Sequence, residues 1–410
     1  MALAKVLIVT FEPIPAPDGK SVRIDSILRS LQGRYEVDLL APKIGDVPHI
    51  EIRSSARLLR VPLGAGHLHA QVERFARAVR RQLQSDEYRI VHLCDPRVAG
   101  PACEMAAERG FKLVFEPLGV PVLDLERAFP GLARNAELVG RLRASEAMCL
   151  AAADAVVVGT TFASAAVSAL QPDANVVVLP GGVDLAAFHP SGGIDGTVAE
   201  PVSSPAGHER IAYVGELAPW QGMGTLLRAA REVLRARPSV RFTLTGPGRP
   251  EHLQALASLA RRLEIESSIE LGPSIAYGHV PQRLAEADIC VVSGELDARA
   301  RRFGPFAQKA VEIMGSERAL VVSRLPANEE VVSPGEASFF APGDASELAV
   351  RLLDACAHPD ARAAQARRGY EAVRARYSLP AFRDRLLAFY TLLLEDGSRV
   401  DPAPRQEPGV

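Results

Sequence analysis

Cysteine is scarce and unpatterned in this chain, and long apolar runs are missing. The five cysteines among 410 residues are scattered, odd in number and without a Cys-x-x-Cys pair. We therefore predict free, mostly buried thiols in a reducing compartment, and neither disulfides nor a metal centre. Because no apolar run reaches about 18 residues, no transmembrane helix is predicted. Residues 2–10 lead directly into a strand without a signal-peptide pattern, so we expect a cytoplasmic protein.

The sequence also lacks an excess of charge of either sign. Its formal net charge is −2, so we expect no nucleic-acid partner. Hydrophobic residues make up 48% of the chain and charged residues 23%, which is typical of a folded protein and not of a disordered one. A length of 410 residues predicts two or three domains, because a single core rarely grows so large.

Short apolar runs alternate with amphipathic segments throughout the chain. Val6–Val9, Ile90–Leu93 and Ala155–Val158 are nearly continuous apolar runs, which indicates strands that are covered on both faces. Helical segments lie between such runs, so the pattern predicts repeated βαβ units and parallel sheets. The pattern restarts at Ile211, after a stretch rich in Pro, Gly and Ser. The chain therefore contains two α/β halves.

The composition of the chain places the domain boundaries. We predict a first domain over residues 1–188, a linker over 189–208 and a second domain over 209–377. A helix over 378–395 is expected to return to the first domain, and the Pro-rich tail 396–410 is expected to be disordered. Two α/β domains joined by a hinge imply a cleft, which is where such proteins bind ligands.

The segment 303–315 combines a Gly/Pro loop with the start of a helix. Gly304, Pro305 and Phe306 precede this helix, and a helix N-terminus offers N–H groups and a positive dipole end to a diphosphate. Lys309 and Glu312 are three residues apart and hence on one helix face. The lysine can pair with phosphate, and the carboxylate can accept two hydrogen bonds from a ribose diol. From the spacing alone, an ordinary surface Lys–Glu pair is the better interpretation.

Two other loops of the second half also follow strands and open helices. Gly215, Glu216 and Gln221 lie in the first of them, and a strand that ends in Gly lets a phosphate approach the backbone. Gly246 and Arg249 lie in the second, a Gly-x-Gly turn that is weak evidence by itself.

In the first half, the loop 13–23 joins the first strand to the first helix. Gly19 and Lys20 lie at its end, where a lysine can contact a phosphate. An exposed loop lysine explains Lys20 nearly as well.

Together with the stretch 178–190, Val-Leu-Pro-Gly-Gly-Val-Asp-Leu-Ala-Ala-Phe-His-Pro, these segments resemble the retaining GT-B glycosyltransferases of family 4, the glycosyl transferases group 1. The resemblance covers most of residues 4–395 and is strongest in the second half. It implies an α/β fold of two doubly wound, Rossmann-like domains with an interdomain cleft. It also implies sugar transfer from a nucleotide-sugar to an acceptor hydroxyl with retention at the anomeric carbon, without a metal ion or other cofactor.

The resemblance assigns roles to individual residues. It places Glu312 on the donor ribose and Lys309 on the diphosphate, and we take these two as the catalytic residues. It places the loop of Gly304, Pro305 and Phe306 against the diphosphate. The other residues predicted to contact the donor, with Ile275 next to the base, are Gly19, Lys20, Gly215, Glu216, Gln221, Gly246, Arg249 and Ile275.

The chain departs from the family pattern at four positions. Gly304 stands where many members carry the first Glu of an E-x7-E pair, and Glu116 stands where members often carry a His. Glu216 and Gln221 replace an Arg and a Lys that neutralise the donor diphosphate in most members. We expect Lys309, the helix N-termini and either Lys20 or Arg249 to meet this charge instead.

The resemblance leaves the acceptor and the activity open to several interpretations. The acceptor would belong to a polysaccharide, a glycolipid or a natural product. The departures also fit a catalytically impaired homologue that acts as a binding or scaffold protein. A GT-B nucleotide-sugar epimerase and a two-lobed binding protein of another family are further alternatives.

Arginines cluster on one predicted helix of the first half. This helix, 72–83, carries Arg74, Arg77, Arg80 and Arg81 on one face. Such a face is either solvated or attracted to an anionic surface, which would place the protein peripherally at the inner face of the membrane.

Overall fold

The strands of this protein form two separate sheets. The computed structural model describes residues 3–16, 18–189 and 208–395. Contacts divide the chain into a first unit, residues 1–180 with 382–410, and a second unit, residues 181–381. The predicted linker lies almost wholly, and the predicted disordered tail wholly, outside the described residues.

The first unit ends at Pro180, before the predicted boundary at residue 188. Val183 and Phe188 are buried in one cluster with Met314 of the second unit. In addition, the Val183 N–H donates to the carbonyl of Tyr377 at 2.8 Å. The residues after Pro180 thus complete the core of the second unit, because their apolar side chains are buried there.

The first unit alternates strands and helices. Its strands are β1 (Lys5–Val9), β2 (Glu36–Lys43), β3 (Ile50–Arg53), β4 (Ala56–Pro62), β5 (Ile90–Leu93), β6 (Lys112–Phe115), β7 (Ala155–Val158) and β8 (Val176–Val178). Its helices before residue 180 are α1 (Gly19–Leu31), α2 (Leu68–Ser85), α3 (Gly100–Arg109), α4 (Pro121–Ala128), α5 (Ala136–Ala152) and α6 (Thr161–Leu170).

The sheet of the first unit has the strand order β3-β4-β2-β1-β5-β6-β7-β8. Its strands pair in parallel except that β3 is antiparallel to β4, so the expectation of only parallel strands was wrong here. Ser54 and Ser55 form the turn between them in left-handed conformations, with φ of 48° and 62°. The sequences of β3 and β4 mix apolar residues with Glu and Arg. Such a mixture suits an exposed sheet edge. Because neither strand is a continuous apolar run, the apolar pattern did not predict them.

The second unit has the same alternation. Its strands are β9 (Arg210–Val214), β10 (Arg241–Thr245), β11 (Ile269–Gly272), β12 (Ile289–Val292), β13 (Ala319–Ser323) and β14 (Ser338–Phe340). Its helices are α7 (Leu185–Phe188), α8 (Met223–Ala236), α9 (Pro250–Arg262), α10 (Val280–Ala285), α11 (Ala298–Arg302), α12 (Gln308–Gly315), α13 (Pro326–Val331), α14 (Ala345–Ala357) and α15 (Pro359–Arg376). The last helix of the described chain is α16 (Leu379–Glu395).

The sheet of the second unit is parallel, with the order β11-β10-β9-β12-β13-β14. Local chemistry fixes where two of the helices begin. Helix α5 begins at Ala136, where the Asn135 side chain accepts the N–H of Leu138 at 3.0 Å. Helix α12 begins at Gln308, because Ala307 has non-helical backbone angles.

Each sheet contains one point where the strand order reverses. In the first sheet, β1 has β2 on one side and β5 on the other, and the chain continues outward from each of them. In the second sheet β10 and β12 flank β9 in the same way. The carboxyl ends of strands at such a switch point are where open α/β sheets bind ligands. We therefore examined the loops that follow β1, β5, β9 and β12.

The final helix, α16, groups with the first unit from Phe382 onward. The hydroxyl of Tyr390 shares a hydrogen bond with His92 Nδ1 at 2.7 Å, and both side chains are fully buried. The Arg23 guanidinium lies over the Phe382 ring at 4.5 Å. None of the helices described here is both long and apolar enough to cross a membrane.

We expect Tyr390→Phe to destabilise the first unit, because it leaves a buried polar nitrogen of His92 without its partner. The cost of such a group is about 1–3 kcal/mol. Differential scanning calorimetry should show a lower transition temperature for this variant. Tyr370→Phe is the control, because the ring of Tyr370 stacks on His189 at 4.4 Å and a Phe keeps that contact. Equal transition temperatures for both variants would contradict a structural role for the His92–Tyr390 bond.

Candidate functional site

Two backbone segments lie close together where β9 and β10 end. The N–H of Gly215 donates to the carbonyl of Thr245 at 2.9 Å, and Gly215 and Gly246 have φ of 149° and 150°. A Cβ at Gly246 would lie 1.9 Å from the carbonyl oxygen of Gly215. Because neither position tolerates a side chain, this edge of the sheet exposes bare backbone.

The ammonium of Lys309 lies against this bare backbone. Its Nζ donates to the hydroxyl of Tyr213 at 2.9 Å and to Oε1 of Gln221 at 2.7 Å. A Cβ at Gly215 would lie 2.7 Å from Lys309 Cε and 2.8 Å from Nζ. Burial raises the pKa of Tyr213 well above its usual range, so its hydroxyl stays neutral. The second switch point therefore presents a cation that these two bonds orient without cancelling its charge.

Glu312 follows Lys309 by one helical turn of α12 and is 7% exposed. Its Oε1 accepts hydrogen bonds from the Tyr277 hydroxyl at 2.7 Å and from Gln308 Nε2 at 2.8 Å. Burial raises the pKa of this carboxyl to about 7, and the two donors together with Lys309 limit the rise. A carboxylate that is half-ionised near neutral pH and faces a cationic neighbour is typical of a functional site.

Gly304 lies in the loop before α12. Its φ of 54° is in the left-handed region, where a residue with a side chain is uncommon. The ring of Phe306 packs edge-on against Tyr377 at 5.6 Å, and a Cβ at Gly181 would lie 2.7 Å from it. Phe306 is thus a packing residue of the loop. No side chain caps the N-terminus of α12.

Two residues that replace cationic residues of the family have other partners. Gln221 uses its side chain to hold Lys309, and its carbonyl accepts from the Ser293 hydroxyl at 2.8 Å. This second bond ties the loop after β9 to the end of β12. Glu216 accepts from the Trp220 indole N–H at 3.0 Å. Gln221 therefore serves the site by positioning a lysine, not by carrying charge.

The other predicted donor residues belong to other segments of the chain. Arg249 is the residue that precedes α9, and its guanidinium lies 4.0 Å from the Glu251 carboxylate. Ile275 is partly buried in the loop that leads to Tyr277. Gly19 and Lys20 belong to the first unit.

Sequence reasoning missed three side chains that hold the central pair. Tyr213 supports Lys309, and Tyr277 and Gln308 support Glu312. A signal existed for Gln308, because it precedes Glu312 by four residues on one helix and such pairs are neighbours. Tyr213 lies in β9 and Tyr277 lies just before α10, and neither carried such a signal.

The first unit has a buried ion cluster beneath the carboxyl ends of β5 and β6. Glu116 accepts from Arg23 Nε at 2.6 Å and pairs with His92 Nε2 at 3.0 Å. Burial by itself raises the pKa of Glu116, but Arg23 and His92 outweigh it and hold the pKa below its usual range. Both carboxylate oxygens of Glu116 thus have a partner within the first unit.

No three His, Cys, Asp or Glu side chains in the described ranges lie close enough to hold a metal ion. The five cysteines are unpaired in the structure.

Two family models match this chain. The Glycosyl transferase 4-like domain matches residues 18–182, and Glycosyl transferases group 1 matches residues 208–358. A D-inositol 3-phosphate glycosyltransferase of Kineococcus radiotolerans is 34% identical over 126 residues, which are 29% of this chain and 29% of that relative. The chain thus spans less than a third of this relative's length.

Solved structures resemble the whole described chain. Sucrose-phosphate synthase from Thermosynechococcus elongatus has a TM-score of 0.81 at 19% identity, with 95% of this chain and 99% of that chain covered. HepE from Anabaena in complex with UDP-glucose has a TM-score of 0.72 at 14% identity, with 94% and 99% covered. These matches establish the GT-B fold. The two family models, over residues 18–182 and 208–358, show that the chain belongs to the glycosyl transferases group 1.

Proposed function

We propose that this protein is a retaining glycosyltransferase, which moves a sugar from a nucleoside diphosphate sugar to an acceptor hydroxyl. The observation that carries the proposal is the Lys309 ammonium, held beside the bare backbone of Gly215 and one helical turn from the buried Glu312. The cation matches the diphosphate of such a donor, and the carboxylate matches its ribose diol.

The diphosphate would lie beside Gly215, which has no side chain of its own and which the Lys309 ammonium faces. The uncapped N-terminus of α12 adds the positive end of a helix dipole on the same segment. Hydrogen bonds to Tyr213 and Gln221 hold the Lys309 ammonium beside Gly215, where it can pair with a phosphate oxygen. Stabilising the leaving diphosphate is the largest contribution that these residues could make to the transfer.

The ribose would bind Glu312 through its second carboxylate oxygen. Both hydrogen bonds to Glu312 end on Oε1, which leaves Oε2 to accept from a ribose hydroxyl. Tyr277 and Gln308 fix the rotamer of the carboxylate, so little side-chain freedom is lost on binding. The retaining enzymes of the family are thought to let the leaving phosphate take the acceptor proton. A separate general base is then not required, which suits a chain whose Glu116 is already engaged.

A nucleotide-sugar donor is supported by HepE, which has the same fold and was solved with UDP-glucose. We propose that the acceptor is a polysaccharide, glycolipid or natural product bound by the first unit, and that transfer takes place in the cytoplasm. Membrane attraction through α2 is less well supported. Arg74 donates to the Ala65 carbonyl at 2.8 Å and Arg80 pairs with Glu104, so two arginines of that face already have partners.

One observation favours a second candidate function. Gly304 takes a left-handed conformation at the position where many members of the family carry a Glu near the donor sugar. A protein that binds a nucleotide-sugar without turning it over would have this loop as well. Binding with no release of nucleoside diphosphate would favour such a scaffold over an enzyme.

Lys309→Met should weaken the binding of nucleoside diphosphates. Loss of a charged hydrogen bond costs about 1.5–3 kcal/mol, which is roughly 10- to 100-fold in Kd. Isothermal titration with UDP, GDP and ADP measures this. The control is Lys43→Met, because Lys43 is a half-exposed lysine of the first unit whose Nζ contacts His49. Lack of binding of all three nucleotides to the wild type would overturn the proposed function.

The same variants should separate the enzyme from the scaffold. With the nucleotide that binds best, its sugar conjugates should release nucleoside diphosphate slowly in the presence of wild-type protein and water. Lys309→Met should lower this rate by at least about tenfold, and Lys43→Met should leave it unchanged. Tight binding with no release from any conjugate would support the scaffold.

The affinity for UDP-glucose should rise between about pH 6 and 8, because the Glu312 carboxyl has a pKa of about 7 and accepts ribose hydrogen bonds best when ionised. UDP-glucose suits the titration because its diphosphate diester keeps its charge over this range. Glu312→Gln should flatten the pH profile and weaken binding at pH 8. A profile of the variant that parallels the wild type would remove Glu312 from the site.

Glu312 should also make the stability of the free protein depend on pH. Because burial raises its pKa from an ordinary 4.5 to about 7, the folded state holds a proton that the unfolded state has released. Stability is therefore lost as pH rises from about 4.5 to 7. Glu312→Gln should be more stable than wild type at pH 8, by up to about 3 kcal/mol, and similar near pH 4.5. Thermal unfolding of the variant and the wild type at both pH values tests this prediction. The same stability difference between the two proteins at pH 4.5 and at pH 8 would contradict it.

A further inference from the structure

A second group of charged side chains lies at the switch point of the first sheet. Glu12 follows the end of β1, and Asp95 follows the end of β5. Lys20 comes from the first turn of α1, and Arg97 lies two residues after Asp95. The switch point of the second sheet carries the proposed donor site. By the same rule of parallel sheets, the first switch point is where this unit would bind the second substrate.

The two cations of this group are already paired with carboxylates. Glu12 Oε1 lies 2.8 Å from Lys20 Nζ and 3.4 Å from Arg97 Nη2. Asp95 accepts from Arg97 Nε at 2.9 Å and also from Nη2. The guanidinium of Arg97 lies over the ring of Phe11 at 5.1 Å. The first switch point therefore differs from the second, where the hydrogen bonds of Lys309 to Tyr213 and Gln221 end on neutral groups.

Glu12 and Asp95 differ in how far they are exposed to solvent and in what they hold in place. The Asp95 side chain is 7% exposed, and it also accepts the backbone N–H of Arg97 at 2.9 Å. It holds the loop after β5 in place. The side chains of Glu12, Lys20 and Arg97 are 23%, 32% and 25% exposed. A ligand can therefore reach all three, and Glu12 is an accessible anion that pairs with both cations.

On the basis of the proposed transferase function, we propose that this group binds the acceptor and that Glu12 makes it specific for neutral polyols. Hydroxyl groups can accept from Lys20 or Arg97 and donate to Glu12 without breaking an ion pair. A phosphate or carboxylate on the acceptor would have to displace Glu12 from both cations and lie beside its charge. Like charges this close are unfavourable in a half-buried site, so an anionic acceptor is excluded.

Glu12→Gln should remove this exclusion. The amide fills the same space but removes the Glu12 charge from Lys20 and Arg97, while Asp95 and Asp124 still face Arg97. The variant should bind glucose 6-phosphate at least about tenfold more tightly than the wild type, because a phosphate can then take the place of the Glu12 charge. Titrations are made with saturating UDP, so that the second unit does not compete for the phosphate. Glucose serves as the matched neutral probe, and its binding should not improve.

The matched control is Glu104→Gln, which frees Arg80 on another face of the first unit and should not gain affinity for glucose 6-phosphate. The double variant Glu12→Gln/Lys20→Met should lose the gain. If Glu12→Gln has a lower thermal transition than the wild type, Glu12→Ala replaces it in the same assay. Equal affinity of the wild type and the Glu12 variants for glucose 6-phosphate would overturn the proposal. So would wild-type transfer to a sugar phosphate that matches or exceeds transfer to the parent sugar.

These measurements also separate this proposal from the proposed function. Absence of nucleotide binding would refute the donor site. The charge effect of Glu12 would still be measured, because binding of glucose 6-phosphate does not need a sugar donor.

Discussion

The placement of one ammonium group determines what the second unit can do. Lys309 lies where it does because Tyr213 and Gln221 accept its hydrogen bonds and because Gly215 carries no side chain. Gly215 in turn depends on Gly246, whose missing Cβ lets the two loops touch. Two glycines at the ends of neighbouring strands therefore create the space that a lysine fills. The same bare backbone is what a diphosphate needs in order to approach.

Sequence patterns revealed the parts of this fold that depend on local chemistry. Continuous apolar runs predicted the central strands, because strands covered on both faces need apolar residues at every position. The hairpin of β3 and β4 was missed, because its mixed sequence suits a sheet edge and has no such pattern. The spacing of Lys309 and Glu312 placed them on one face, but Tyr213 and Tyr277 contribute only after the chain has folded. The spacing of residues along the sequence does not predict such contacts.

The two units share one feature of topology but differ in the charged side chains that lie at it. Both sheets reverse their strand order once, and polar side chains collect at the carboxyl ends of the strands there. At the second switch point, a lysine bonded to Tyr213 and Gln221 favours an anion. At the first, Glu12 and Asp95 compensate two cations and favour a neutral molecule. A transfer between a charged donor and an uncharged acceptor would make use of this difference.

Because α16 packs in the first unit, it affects the order in which the two units can complete folding. The buried contacts of His92 and Arg23 require Tyr390 and Phe382, which the ribosome makes 298 residues after His92 and 359 residues after Arg23. All residues of the second unit, 181–381, have been synthesised before that helix is complete. The first unit, whose synthesis begins first, is thus the unit that completes folding last. Until then its central strands need protection from aggregation, which is a task for chaperones that act on nascent chains.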